Sequence, residues 1–268
     1  MNPAPAVAPC GNVIAVYSPK GGAGCTTLAV NLAIALRRRT WRETVLVDGA
    51  LAAGELDLHL NLAARGGLAA VAAGTPLEGA CVTHATGVHL LSGAGAVAAD
   101  LERFLATAGR RPATWFVLDT SPQEPAAADL ALAAADRIVV PLFLDVAHLR
   151  RAKRDLPRLE SSFPGAGDPV FTAWAERSDV DSGAAARILG ATLGAELPYD
   201  PAAARRAINR GIPLLEADPS GASARAFARL ADSLDRPDIR AIVPVGPTGP
   251  VGRILAWLRP GAAPSLGV

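Results

Sequence analysis

The chain has 268 residues, 50% of them hydrophobic and only 4% aromatic, with a formal net charge of +1. This is enough for a sizeable core of small aliphatic side chains, which favours helices packed on a sheet, and it leaves the chain as a whole no electrostatic claim on nucleic acid or membrane. Cys10, Cys25 and Cys81 match no zinc spacing, there is no signal-peptide pattern, and no apolar run reaches the ~18–20 residues of a spanning helix, so a cytoplasmic, non-spanning protein is expected.

A Pro/Ala-rich leader (1–11) precedes the first predicted strand, "NVIAVYS" (12–18), and the helical spacing of "TLAVNLAIALRRR" (27–39) follows a glycine-rich loop. Further short apolar runs predict strands: "TVLVD" ending at Asp48, "VHLLS" at 88–92, "TWFVLD" ending at Asp119, then "RIVVP" and "PVFTAW", with Ala-rich helical segments between. Strands alternating with helices predict an α/β fold, a doubly wound, mostly parallel sheet in three α/β/α layers. Ligands in such sheets bind at the carboxyl ends of the strands, which places Ser18, Asp48 and Asp119 around one crevice. One domain is expected over 12–236, closed by a helix near 222–234. Residues 237–268 read as a Pro/Gly-rich tether carrying a short amphipathic segment, with Val251, Ile254, Leu255 and Leu258 on one face and Arg253 and Arg259 beside them.

The loop itself, "SPKGGAGCTT" (18–27), has the glycines that let backbone N–H groups converge on phosphate at a helix N-terminus. Gly21, Gly22 and Gly24 supply this geometry and Thr26 stands at the magnesium position, but Cys25 stands where a phosphate-binding lysine is usual. The chain has only two lysines, Lys20 and Lys153, and one of them is in this loop. "KGGAGCTTLAVNLA" resembles the deviant Walker A motif, KGGxGK[ST]T, of the ParA/MinD family of P-loop ATPases. "VLVDGALAAGELDLHLNL" (45–62) is similar to that family's second strand and switch I, most of all in the CpaE/TadZ branch associated with Flp (Tad) pilus assembly. "FVLDTSP" (116–122) resembles its Walker B and switch II, and "ELPYDPAAARRAINRGIPLLEADPSGASARAFARLA" (196–231) its C-terminal region.

The resemblance implies a homodimer that sandwiches ATP and Mg2+, with Lys20 reaching the partner's phosphates. It implies nucleotide contacts at Lys20, Gly21, Gly22, Ala23, Gly24, Cys25, Thr26, Thr27, Pro198 and Asp200, and metal contacts through Thr26, Asp48 and Asp119. No catalytic residue is assigned; the candidates are Lys20, Asp48 and Asp119. Three departures weigh against turnover: Cys25 in place of the in-cis lysine, Ala50 in place of the second switch I acid, and no Asn in "FTAWAERSD", where the family often reads adenine. Losing a charge-assisted phosphate contact costs ~1.5–3 kcal/mol, about one to two decades in affinity.

These features imply a positioning or assembly factor for pilus, secretion or other cellular machinery, acting as a weak or non-hydrolysing ATP-dependent dimer. The alternatives are an active partition-type ATPase that binds DNA non-specifically and a nucleotide-free pseudo-ATPase scaffold. The typical CpaE/TadZ-branch protein has a further receiver-like domain before the ATPase fold, which is not present in this sequence. His59, His84, His89 and His148 show no ligand spacing and read as satisfied surface or core residues. Cys25 is either a neutral filler or a thiol activated by the helix N-terminus and Lys20. "HLRRAKRDLPRLE" (148–160) places Arg150, Arg151, Lys153, Arg154 and Arg158 on one helix, a candidate for DNA contact or simply a solvated or protein-binding face. The segment at 250–260 is a candidate peripheral membrane contact on the inner face of the membrane, or a partner-binding tail.

Overall fold

The computed structural model describes residues 12–52, 54–108, 111–175 and 179–235. The leader over 1–11 and the tether with its amphipathic segment over 237–268 lie outside the described residues.

The strands are β1 (Asn12–Val16), β2 (Glu43–Asp48), β3 (Val82–Thr83), β4 (Val88–Leu91), β5 (Thr114–Asp119), β6 (Arg137–Phe143), β7 (Val170–Ala175) and β8 (Leu193–Pro198). They form one sheet in the order β3-β4-β2-β5-β1-β6-β7-β8. All neighbours pair in parallel except β3, which runs antiparallel to β4 at one edge. This is the expected α/β architecture. Two strands were not predicted: β3, two residues long, and β8, whose "LGAELP" alternates part-exposed and exposed positions along the other edge.

Side chains alternate across the sheet with period two, as the strand geometry requires. Val13, Ala15 and Tyr17 enter one core while Ile14 and Val16 enter the other; Phe116 and Leu118 oppose Trp115 and Val117 in the same way. The first core is closed by α3 (Leu68–Ala72), α5 (Ala98–Ala108), α6 (Pro125–Ala134), α7 (Val146–Ser162) and α8 (Ser182–Leu189). The second is closed by α1 (Cys25–Thr40), α2 (Leu56–Leu60), α10 (Leu214–Ala217) and α11 (Ala222–Leu234). The short α4 (Leu77–Ala80) and the exposed α9 (Pro201–Arg210) complete the helices.

The helix α1 is almost wholly covered, with nine consecutive buried residues from Leu28 to Leu36. Within it the buried Asn31 donates to the Thr27 carbonyl at 2.8 Å and accepts from the Leu215 amide at 3.1 Å, so one side-chain amide joins α1 to the start of α10. Burial of this kind is tolerated because both functions of the amide are used. The α11 face packs on α1 and β8 through Phe227, which is 0% exposed. Phe227→Ala removes the largest side chain of that helix from the core and is expected to cost about 3–5 kcal/mol, read as a lower midpoint in denaturant-induced unfolding at unchanged slope.

Candidate functional site

Three adjacent parallel strands, β1, β2 and β5, end together, and their register sets Asp48 opposite Asp119. The hydrogen-bond ladder runs on past the strand ends. Gly49 N donates to Asp119 O at 2.8 Å, and Thr120 N and Oγ1 both donate to Val16 O, at 3.2 and 2.8 Å. Neither loop has room to drift. A Cβ on Gly49 would lie 2.5 Å from the Asp119 carbonyl oxygen, and one on Gly93 would lie 2.3 Å from that of Asp48.

From β1 the chain passes through Ser18, whose Oγ accepts from Lys20 N at 3.4 Å, into the glycine loop. Gly22 and Gly24 have φ of 79° and 81°, left-handed values that a side chain strains to adopt, and Gly24 is the N-cap of α1. The loop therefore presents backbone N–H groups at the start of a sixteen-residue helix, the geometry that binds anions. Trp174 of β7 supports it from below: the indole Nε1 donates to Ala23 O at 2.8 Å, and the ring would lie 3.0 to 3.2 Å from a Cβ on Gly24. The segment without an asparagine thus carries a tryptophan that holds the loop.

Asp48 and Asp119 are 3% exposed each. Asp48 accepts from the amide of Ala50 at 3.1 Å and from that of Leu56. Burial pushes its carboxyl up to about 7, with Asp57 and Glu124 adding to the rise and the two amides opposing it. Burial likewise pushes Asp119 up to about 7, aided by Asp48 and opposed by its bond to the Thr26 hydroxyl. The Oδ1 atom of Asp119 is buried with no hydrogen-bond partner among the described residues. Two carboxylates and a hydroxyl make an all-oxygen donor set suited to Mg2+, and that orphaned oxygen is what a cation would satisfy. No cluster of three or more His, Cys, Asp or Glu placed to hold a metal occurs among the described residues.

The loops that follow β2 and β5 are also joined directly. The Glu124 carboxylate, at the N-cap of α6, accepts from the consecutive amides of Leu51 and Ala52 at 3.0 and 2.9 Å. Sequence reasoning did not single out Glu124; its only signal was its place immediately before Pro125, where a helix starts. Cys25 is half-buried, and desolvation together with Asp119 pushes its thiol well above the ordinary value. This direction is the opposite of the one an activated thiol requires and accords with the neutral-filler reading.

Pro198 and Asp200 lie across a cavity of about 500 Å3 from Gly24 and Thr27, with Phe143, Trp174 and Tyr199 in its lining. Asp200 caps α9 by accepting from Ala203 N at 2.8 Å. Thr26 bonds Asp119, with Asp48 beside it, Lys20 lies against His148, and Gly24 and Thr27 share the lining of the adjoining cavity with Pro198 and Asp200. His148 is a satisfied, buried histidine, as the sequence reading has it, but it lies against the loop lysine. It is 6% exposed, at the start of α7; its Nδ1 lies 2.7 Å from Asp145 Oδ2, and Lys20 Nζ lies 3.4 Å from both ring nitrogens.

No known family model matches the chain, and no curated protein does. Solved structures do. The septum site-determining protein MinD complexed with Mg-ADP from Pyrococcus horikoshii OT3 superposes with a TM-score of 0.74 at 23% identity, over 84% of this chain and 96% of that one. The cell division ATPase MinD of Pyrococcus furiosus gives 0.74 at 25% identity over 84% and 98%, and a ParA family ATPase from Chlorobium tepidum gives 0.73 at 18% over 82% and 98%. The fold is that of the MinD/ParA P-loop NTPases.

Because each carboxyl is raised above its ordinary value of 3.8, the folded protein keeps protons that the unfolded chain loses between about pH 4 and 7. Stability therefore falls as pH rises through that window and levels off above it. Thermal unfolding without added metal should show this decline, and Asp119→Asn should remove about half of it, leaving the Asp48 contribution.

Proposed function

We propose that this chain is a ParA/MinD-like positioning or assembly factor of the CpaE/TadZ type, a dimer that closes on Mg-ATP and hydrolyses it weakly or not at all. The observation that carries the reading is a mismatch within one site. The loop amides, Lys20, Thr26, Asp48 and Asp119 are in place for binding, while a thiol fills the in-cis lysine position and a methyl the switch I acid position, Cys25 and Ala50. Binding needs the amide cradle and the cation's oxygen ligands; turnover also needs positioned charge on the transferring phosphoryl group.

In this reading the loop amides hold the β-phosphate, Lys20 supplies the positive charge, and Thr26, Asp48 and Asp119 hold Mg2+ directly or through its water. The metal, when bound, neutralises phosphate charge. The base occupies the aromatic-lined cavity between the loop and Pro198–Asp200. Glu124 ties the two switch segments so that a ligand moving one moves both. The protein partners are components of a pilus, secretion or comparable machinery, and residues 250–260 add a peripheral membrane contact on the cytoplasmic side.

The partition-type alternative, with non-specific DNA binding, draws on the basic helix α7. There Arg150, Arg151 and Arg154 are exposed, but Lys153 is bonded to Leu189 O at 2.6 Å and Arg158 is paired with Asp129 and Asp155. Three remaining arginines make a thinner patch than the five basic residues counted in sequence, which favours the positioning reading.

Calorimetry of Mg-ATP binding, with mass measured in the same samples, tests the proposal. Wild type should bind at micromolar levels and dimerise, and Lys20→Ala should do neither; no binding by wild type at millimolar ATP would leave a scaffold. Cys25→Lys restores the missing charge–phosphate contact and should tighten Mg-ATP binding by about 10- to 100-fold.

A further inference from the structure

We infer that the side-chain amide of Gln123 reads the terminal phosphate of the bound nucleotide, so that the chain separates a nucleoside triphosphate from a diphosphate through a residue outside the phosphate loop. This role depends on the nucleotide binding proposed above and adds to it a specificity residue that the loop pattern does not contain.

The direction of the phosphate chain follows from where the base goes. The cavity proposed for the base meets the loop at Gly24 and Thr27, at the start of α1. A nucleotide seated there runs its phosphates back along the loop, and its last phosphate comes to the Gly21 end. Gln123 stands at that end. A Cβ on Gly21 would lie 3.3 Å from Gln123 Nε2, whereas one on Gly22 would meet no atom within 4 Å. Gly21, Gly22 and Gln123 are all exposed, so the amide borders the outer turn of the loop without burying it.

The turn that carries Gln123 is anchored on both sides. Thr120, three residues earlier, is fixed to Val16 O by its N–H and its hydroxyl, and Glu124, the next residue, holds the amides of Leu51 and Ala52. Between these anchors Glu124 N donates to Ser121 O at 3.1 Å. The Ser121 hydroxyl accepts from Gln123 N at 3.3 Å and donates to Gln123 Oε1. With the oxygen of the amide engaged in this way, Nε2 is the end turned to the loop. It has no hydrogen-bond partner among the described residues. Both of its N–H donors are therefore available to a phosphate oxygen, an acceptor whose charge strengthens the bond.

A diphosphate gains nothing from this donor, because its oxygens end short of the Gly21 side. A triphosphate gains one contact made by a neutral group, which adds recognition at the position where Cys25 and Ala50 supply no charge. The turn 121–124 thus touches the loop through Gln123 and the segment after β2 through Glu124.

Calorimetry on the full chain, with magnesium and either ADP or the β,γ-imido analogue of ATP, gives both affinities without turnover. Gln123→Ala should weaken the analogue about 10-fold, as loss of a hydrogen bond to a charged group does, and leave ADP within about twofold. Gln123→Glu keeps the length but turns a carboxylate toward the phosphate, and should weaken the analogue further while again sparing ADP. Ser121→Ala, which frees the amide oxygen and leaves Gln123 in place, should give a smaller loss for the analogue alone. Unchanged affinity of Gln123→Ala for the analogue, or a loss shared equally by ADP, overturns the role of Gln123 and leaves the nucleotide function standing. Failure of wild type to bind either nucleotide overturns that function and this role with it.

Discussion

Two carboxylates buried side by side at the end of a parallel sheet are the constraint around which this molecule is built. Removing like charges from water is costly unless protons, donors or a cation compensate. The chain compensates in part: two amides for Asp48, one hydroxyl for Asp119, and a rise of both carboxyls to about 7. What remains unmet beside these two is one buried acceptor, Asp119 Oδ1, next to the glycine loop, whose Thr26 hydroxyl bonds the same carboxyl. Carboxylate oxygens beside a helix N-terminus are the pairing that the proposed metal–polyphosphate ligand needs.

The elements that build this rim were legible in the sequence because they obey local rules. Ser18, Asp48 and Asp119 each close a short apolar run, and a parallel strand buried on both faces has to be such a run. The edge strands were hidden for the converse reason. In β8, Gly194 and Glu196 break the apolar pattern because half of the strand faces away from the core, and β3 is too short to have a pattern.

The contacts that tune the site were illegible because they join distant positions. The Trp174 indole and the Ala23 carbonyl are 151 residues apart, and Lys20 and His148 are 128 apart. Only a local trace of each could have been noticed: an acid three residues before His148, and a tryptophan in the segment examined for an amide. Along α7 the sequence left a DNA contact and a solvated or protein-binding face both open; what it hid is that Arg158 pairs with Asp129 and Asp155 and that Lys153 donates to the Leu189 carbonyl.

The tightness around Gly49 and Gly93 has a bearing on how such a site can change over generations. A methyl group at either position would drive into a backbone oxygen, whereas the side chains at Cys25 and Ala50 fit the folded chain without such a collision. Substitutions therefore meet two very different barriers here, a steep one against altering the outline of the rim and a shallow one against altering its chemistry. Shape and chemistry are thus separable at this rim: side chains can be exchanged at Cys25 and Ala50 while the backbone outline at Gly49 and Gly93 stays fixed.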